Sequence, residues 1–187
     1  MEISDAMVAL AGAVIGGGIT GYYTLKATKT AIEDQNEKEL RRDEKEVQNL
    51  LDALGVEIKT LWDFHMKRVG GLVEELKDGQ PFEFYYPLTQ DYFTIYNSNA
   101  ALIGRIKDCN VAEAIVVCYN KCKKVVDGFK YNNDLFRDYK DLANTSNGPD
   151  TRRIQDKYKE LADYAKIIKE DHFEVKGYVG RLLGLLQ

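Results

Sequence analysis

Residues 6–25 of the chain read AMVALAGAVIGGGITGYYTL, a stretch without a charged side chain. An α-helix needs about twenty apolar residues to cross a bilayer, so this stretch has the required length. Each glycine would cost a soluble helix roughly 1 kcal/mol relative to alanine. In lipid, by contrast, small residues let neighbouring helices approach closely. The sequence therefore predicts a transmembrane helix over residues 1–26 that packs against other helices.

The residues that flank this stretch favour a retained anchor over a cleaved signal peptide. The N-terminal MEISDAM carries Glu2 and Asp5 but no basic residue, whereas a signal peptide begins with a positively charged region and has a shorter apolar core. Lys26 and Lys29 follow the stretch. The positive-inside rule then places the N-terminus outside and residues 26–187 in the cytoplasm. We predict a single-pass protein of the cytoplasmic membrane.

A helical wheel gathers most small residues of the stretch on one half of the helix and most large apolar residues on the other. Gly18 and Ala11 depart from this pattern. Ladders of small residues four positions apart are the expected seam between closely packed helices. We therefore predict self-association into a dimer or a ring, and any pore would need several copies. The predicted packing or pore-lining residues are Ala9, Gly12, Ala13, Gly16, Gly17, Thr20, Gly21 and Thr24.

The rest of the chain has the composition of a soluble helical protein. Its formal net charge of −4 gives no general attraction to nucleic acid or anionic lipid. Residues 27–54 mix acidic and basic side chains, which predicts a charged helical stalk. Residues 55–187 predict a cytosolic bundle of about five helices, so the fold class is all-α. The apolar spacing predicts helices over 91–107, 111–131, 135–142, 151–169 and 175–186. It also predicts loops over 78–90 and 144–150, bends or breaks at Gly55 and Gly70-Gly71, and a kink or junction at Asn132-Asn133.

Residue types that carry catalysis or bind metals are few. The chain has two histidines, His65 and His172, and an odd number of cysteines, which argues against a disulfide framework. Cys118 and Cys122 are one helical turn apart but have no further ligand nearby in sequence, so a zinc site is not expected. We expect them to pack as small apolar residues. The sequence predicts no cofactor, no metal and no catalytic residue.

Two polar sets are candidates for contact with a ligand or a partner. Lys121 and Lys124 belong to a basic cluster that could meet phosphate groups, or else form a solvated face balanced by acids. Asn132 and Asn133 could line a pocket, or else form a buried hydrogen-bond network with nearby tyrosines. These four residues are the predicted ligand or partner surface. Direct binding of nucleic acid is not expected.

The layout of the chain resembles the small membrane accessory protein of type VI-B CRISPR systems. The stretches that carry the resemblance are AGAVIGGGITGYY (11–23) and IYNSNAALIGRIKDCNVAEAIVVCYNKCKKVVDGFKYNNDL (95–135). The resemblance implies a divergent HEPN-like domain and an oligomeric membrane pore. It also implies a role in enhancing antiviral defence by an RNA-guided RNA nuclease that acts upstream.

The histidines depart from the pattern of an active HEPN ribonuclease, which would need an arginine four to six residues before a histidine. Neither His65 nor His172 has one, and Lys166, six residues before His172, is not arginine. Our first hypothesis is therefore a non-enzymatic oligomeric pore, or a membrane-perturbing accessory protein, in RNA-guided anti-phage defence. Its partners would be itself, the lipid bilayer and the nuclease system. The alternatives are a membrane-tethered receptor or adaptor whose helical domain binds a nucleotide or a protein, and a degenerate HEPN-type enzyme that depends on His172.

Overall fold

The computed structural model describes the backbone of residues 3–88, 91–145 and 151–186. Side chains are described from Gly21 onward within these ranges, except at positions 145 and 151. Helices account for 85% of the structure, and no strand occurs among the described residues. The prediction of an all-α fold is confirmed.

The chain forms two units, Met1–Glu46 and Val47–Gln187. A long helix, α1, spans Ile3–His65 and is followed by a π-helical segment, Met66–Gly70. The remaining helices of the described residues are α2 (Gly71–Glu74), α3 (Thr94–Ser98), α4 (Ala100–Ile103), α5 (Cys109–Thr145) and α6 (Thr151–Leu185).

The first unit is helical although residues 21–46 bury almost nothing. Pairs of opposite charge one turn apart run along this part of α1. Arg41 lies 2.6 Å from Glu37, and Arg42 lies 3.1 Å from Glu46. Each such pair contributes about 0.2–0.5 kcal/mol to a solvated helix. The alternating charges therefore support the helix where a buried apolar face does not.

The predicted membrane span lies mostly outside the described side chains. Residues 6–20 are helical, but most predicted packing or pore-lining residues (Ala9, Gly12, Ala13, Gly16, Gly17 and Thr20) are among those whose side chains lie outside the described residues. Gly21 and Thr24 are described, and both are exposed. From Gly21 onward, the described helices contain no segment that is both long enough and apolar enough to cross a membrane.

The second unit is built around the C-terminal part of α1, α5 and α6. Leu54 and Ile58 of α1 are 0% and 1% exposed, although Leu54 falls in the predicted stalk. Ile115 and Tyr119 of α5 are fully buried, and α5 packs along α6. The apolar face of α6 keeps helical spacing throughout, through Leu161, Ala165, Ile168, Val175, Val179 and Leu182.

Helices α5 and α6 are each longer than the sequence predicted. The helix junction predicted at Asn132-Asn133 is wrong, because α5 continues through both residues and their side chains hydrogen-bond to another segment. The predicted break between 169 and 175 is also wrong. His172 extends the buried face of α6 between Ile168 and Val175, so the helix has no reason to end there.

Two predictions about the first half of the bundle also need correction. Gly55 does not break α1, which runs on to His65. The helix predicted over 91–107 is instead two short helices, α3 and α4, because Asn99 between them leaves the helical conformation with φ −121° and ψ 23°. The irregularity predicted at Gly70-Gly71 is present as the π-helical segment.

Candidate functional site

The two histidines meet in the core of the second unit, although 107 positions separate them in sequence. His65 Nε2 lies 3.0 Å from His172 Nδ1, and His172 Nε2 lies 3.1 Å from Glu74 Oε1. Lys176 Nζ donates to the same carboxylate oxygen at 2.8 Å. We call Lys176, Glu74, His172 and His65 the histidine relay. It leads from the surface to the interior, since Lys176 is 49% exposed and the His172 side chain is 0% exposed.

Glu74 fixes the direction of the hydrogen bonds in the histidine relay. A carboxylate only accepts, so His172 donates from Nε2, and its neutral ring then accepts at Nδ1 from His65 Nε2. This order leaves His65 Nδ1 as an acceptor, and the described residues offer it no hydrogen bond. The hydrogen between the two rings is therefore carried by His65 Nε2.

Burial and charge determine which members of the relay are ionised. Burial, reinforced by neighbouring His172, lowers the pKa of His65 to about 4. Burial also lowers the pKa of His172. Hydrogen bonds from Lys176 and His172 hold the pKa of Glu74 below its usual value. At pH 7 the relay is therefore a carboxylate followed by two neutral imidazoles.

Aromatic rings enclose the two imidazoles. The Trp62 ring stacks on His172 with centroids 5.4 Å apart, and the Phe173 ring meets His172 edge-on at the same distance. On the other side, the Phe129 ring lies 5.7 Å from that of His65. These contacts keep water away from the His65–His172 hydrogen bond and fix the orientation of both rings.

The π-helical segment and Gly70 make room for His172. A Cβ atom at Gly70 would lie 2.5 Å from Met66 Sδ and 3.3 Å from His172 Cε1. Glycine is therefore the residue that lets the helix backbone approach the imidazole closely. Wide π turns often occur at functional sites, and this one directly follows His65.

A cavity of about 60 Å³ lies beside His65 and is partly open to solvent. Its lining is almost entirely apolar and draws on α1, α5, α6 and the segment before α3. We call it the aromatic cavity after the rings that line it, those of Trp62, Phe64, Tyr86, Tyr92, Phe93 and Phe129. It is the described feature most like a small-molecule site, because such sites are apolar clefts with a few polar groups.

Glu57 of α1 organises the wall of this cavity. Its carboxylate accepts hydrogen bonds from the backbone N–H of Ile95 at 2.8 Å and of Tyr96 at 3.2 Å, at the N-terminus of α3. It also accepts from the Tyr119 hydroxyl at 2.9 Å, and burial together with this carboxylate raises the pKa of Tyr119. Phe93, directly before α3, has a left-handed backbone with φ 67°. This conformation is unfavourable for a bulky residue, so the surrounding contacts must enforce it.

Residues 81–88 form an irregular segment that crosses α5, which we call the strap. Asn133 accepts from the Tyr86 N–H at 2.9 Å and donates to the Tyr86 carbonyl at 2.6 Å. Asn132 donates to the Phe82 carbonyl at 3.2 Å. Asn132 is 0% exposed and Asn133 7%. They therefore lie inside the bundle and hold the strap, rather than forming the exposed surface considered from the sequence.

Replacing Asn133 by alanine is expected to release the strap. The change leaves a buried N–H and a buried carbonyl of Tyr86 without partners, at a cost of about 2 kcal/mol in the free energy of unfolding. Limited proteolysis of the full chain should then cut within residues 81–88 well before it cuts the wild type. The exposed Asp134→Ala change, at the next position, is the matched control and should leave the cleavage rate unchanged. If the strap of Asn133→Ala is cleaved as slowly as the strap of the wild type, Asn133 does not hold it in place.

The two predicted surface lysines bridge α5 and α6. Lys121 Nζ lies 2.7 Å from Glu174, and Lys124 Nζ lies 2.6 Å from Asp171. The hydrogen bond with Asp171 raises the pKa of Lys124. The structure therefore gives both lysines acidic partners within the protein, and it does not combine them with the buried asparagines into one surface.

The cysteines lie where thiol chemistry is unfavourable or unsupported. Cys118 and Cys122 are buried, and the hydrogen bond between their thiols, together with burial, raises the pKa of Cys122. Cys109 is exposed and also free. From Gly21 onward, no group of three or more metal-ligating side chains converges among the described residues.

No family model, curated protein or solved structure matches this chain. The residues that organise the site include two carboxylates, Glu57 and Glu74, that the sequence did not single out. The chain has 30 acidic residues, and nothing local distinguishes these two. Glu74 meets His172 across 98 positions, and Glu57 meets Tyr119 across 62. Only the packing of the helices brings these groups together.

Proposed function

We propose that this chain is a non-enzymatic, oligomeric membrane protein. Its N-terminal helix anchors each copy and packs against the same helix of other copies, as a pore or another membrane-perturbing assembly. The helical bundle lies in the cytoplasm and has a divergent HEPN-like fold. In line with the resemblance in its sequence, the assembly supports RNA-guided antiviral defence.

The observation that carries this proposal is a group of exposed apolar side chains where the uncharged stretch ends. Tyr22, Tyr23 and Leu25 are 64%, 65% and 74% exposed. Lys26 and Lys29 follow within the next turns. Tyrosines followed by lysines are typical of the boundary between a bilayer and water, where the ring stays at the headgroups and the charge faces the cytoplasm. A membrane surface provides these side chains with the apolar contact that the helix itself does not.

A non-enzymatic role is supported by the burial of the histidines. His172 is 0% exposed and both of its ring nitrogens are in hydrogen bonds. An RNA phosphate could reach it only if the bundle opened. The arginine that an active HEPN site requires is also missing from the positions before either histidine.

Self-association is expected to depend on the small-residue face of residues 6–25. Replacing Gly17 by leucine places a large side chain on that face, so we expect the close helix packing to be lost. Purification of the full chain in mild detergent, followed by light scattering, should show an oligomer for the wild type and a smaller species for Gly17→Leu. The dye-reported membrane potential should fall when the upstream nuclease targets a phage in cells carrying the wild type, but not Gly17→Leu.

Gly18 provides the matched control, because it departs from the small face and lies among the large apolar residues of the helical wheel. Gly18→Leu adds the same side chain one position away, so it should keep both the oligomer and the change in membrane potential. A wild-type chain that is strictly monomeric in mild detergent would refute the proposal. So would an unchanged membrane potential in the cells that carry the wild type.

A further inference from the structure

We propose that the aromatic cavity binds a small, flat, neutral molecule that is mostly apolar and donates one N–H or O–H hydrogen bond to His65 Nδ1. The site belongs to the second unit alone and does not depend on assembly in a membrane. Its chemistry differs from that of the lysine and asparagine surface predicted from the sequence, because its lining is almost entirely apolar.

The volume of the cavity limits the size of the ligand. At about 60 Å³, it is well below the roughly 150 Å³ of an engineered apolar cavity that accepts benzene. By that comparison the enclosed space holds only about two or three heavy atoms, so one edge of a planar ring is buried and the rest of the ring lies toward the opening. A larger molecule would place the rest of its structure at the open side, where Phe64 is 39% exposed.

The lining determines the shape and polarity of the ligand. Rings of Trp62, Phe93 and Phe129 face the space, and aromatic walls favour a planar ligand that stacks or meets them edge-on. The lining is almost wholly apolar, so a charged ligand would lose its hydration without compensation. A neutral molecule is the class that fits.

The histidine relay supplies a hydrogen-bond acceptor beside the cavity. Glu74 orients His172, His172 uses the Nε2 hydrogen of His65, and His65 Nδ1 is left with a lone pair. His65 is also one of the residues that line the cavity. The site therefore discriminates in favour of a ligand that donates a hydrogen bond over one of the same shape that does not.

The walls are fixed before a ligand enters. Asn133 ties the strap residue Tyr86 by both of its backbone groups, and Tyr86 lines the cavity. Glu57 caps α3, which begins directly after Phe93, and Phe93 forms another wall. Because its side chains and loops are already ordered, a preorganised site loses little conformational entropy when it binds a ligand. Strain of this kind at Phe93 is also more frequent at ligand sites than elsewhere.

The only tryptophan of the chain, Trp62, lines the cavity and reports on its contents. We would titrate the full chain in lipid vesicles with pyrrole and with furan and follow Trp62 fluorescence. The two probes are five-membered planar rings of nearly equal size, but only pyrrole has an N–H. We expect saturable binding of both, with pyrrole binding about twofold to tenfold more tightly, the range expected for one hydrogen bond.

A pair of variants separates the cavity from the surface of the same helix. Val126 lines the cavity, so Val126→Phe should fill it and abolish saturable binding. Val116 on α5 is 38% exposed and lies away from the cavity, so Val116→Phe should bind both probes as the wild type does. If Val126→Phe does not fold, the affinities of the wild type for pyrrole and furan test the inference on their own. Linear quenching that does not saturate, or equal affinities for pyrrole and furan, would overturn the inference.

Discussion

Replacing Glu57 by alanine is expected to destabilise the second unit by at least about 4.5 kcal/mol, since three hydrogen bonds to a charged carboxylate are lost and each contributes about 1.5–3 kcal/mol. The change removes the acceptor for the N–H groups of Ile95 and Tyr96 and for the Tyr119 hydroxyl. It also leaves α3, which begins directly after Phe93, without its cap. Urea unfolding of the full chain, followed by Trp62 fluorescence, measures the loss directly.

Two further substitutions on the same helix test the physical reason. Glu57→Gln keeps an acceptor oxygen but loses the charge, so its unfolding midpoint should fall between those of the wild type and Glu57→Ala. Asp63 pairs with Lys59 at 2.6 Å on the exposed surface of α1. Asp63→Ala should therefore cost only about 0–1 kcal/mol. Equal losses in Glu57→Ala and Asp63→Ala would show that Glu57 is an ordinary surface carboxylate.

Acidification is expected to destabilise the second unit well before its carboxylates are protonated. The pKa of His65 is about 4 in the folded protein, below its ordinary value of 6.5. The unfolded chain therefore binds more protons between these values, and stability falls as the pH decreases from about 6.5 to about 4. His65 alone accounts for a loss of about 3 kcal/mol by pH 4. The lowered pKa of His172 acts in the same direction.

The test is the pH dependence of the free energy of unfolding between pH 7 and pH 4.5. Glu74 adds a loss only as the pH falls through its own lowered pKa, below this window. His65→Phe should be less stable than the wild type at pH 7 because His172 loses a partner, but its stability should depend less on pH. The same slope in both proteins would mean that the His65 imidazole is not buried in its neutral form.

Local sequence patterns predicted which parts of the chain are helical better than they predicted where each helix begins and ends. Apolar residues at helical spacing indicated an all-α chain, and the described part of the predicted loop, residues 78–88, is not helical, as predicted. The continuity of α5 and α6 was missed for a physical reason. Asparagine and histidine count as polar in a one-dimensional pattern, yet Asn132, Asn133 and His172 are buried with hydrogen-bond partners. Their partners are distant in sequence, so helix propensity could not show that these positions belong to the core.

The sequence predicted less of the candidate site than of the fold. The sequence contains only two histidines, His65 and His172, but their contact depends on the packing of α1 against α6. Lys121 and Lys124 form a basic cluster in the sequence, whereas their acidic partners Glu174 and Asp171 are 53 and 47 positions away. Charge that looks unbalanced within one helix is balanced by the neighbouring helix.

The way the asparagines hold the strap has a consequence for which substitutions the protein tolerates. Asn132 and Asn133 bond to main-chain groups of the strap, which are the same whatever amino acid occupies those positions. Exposed strap positions such as Glu83 and Tyr85 are therefore free to vary in sequence, while a single change at Asn133 removes two contacts at once. Mutational scanning of residues 81–88 and 131–134 should find this asymmetry, with tolerance concentrated in the irregular segment and sensitivity in the regular helix.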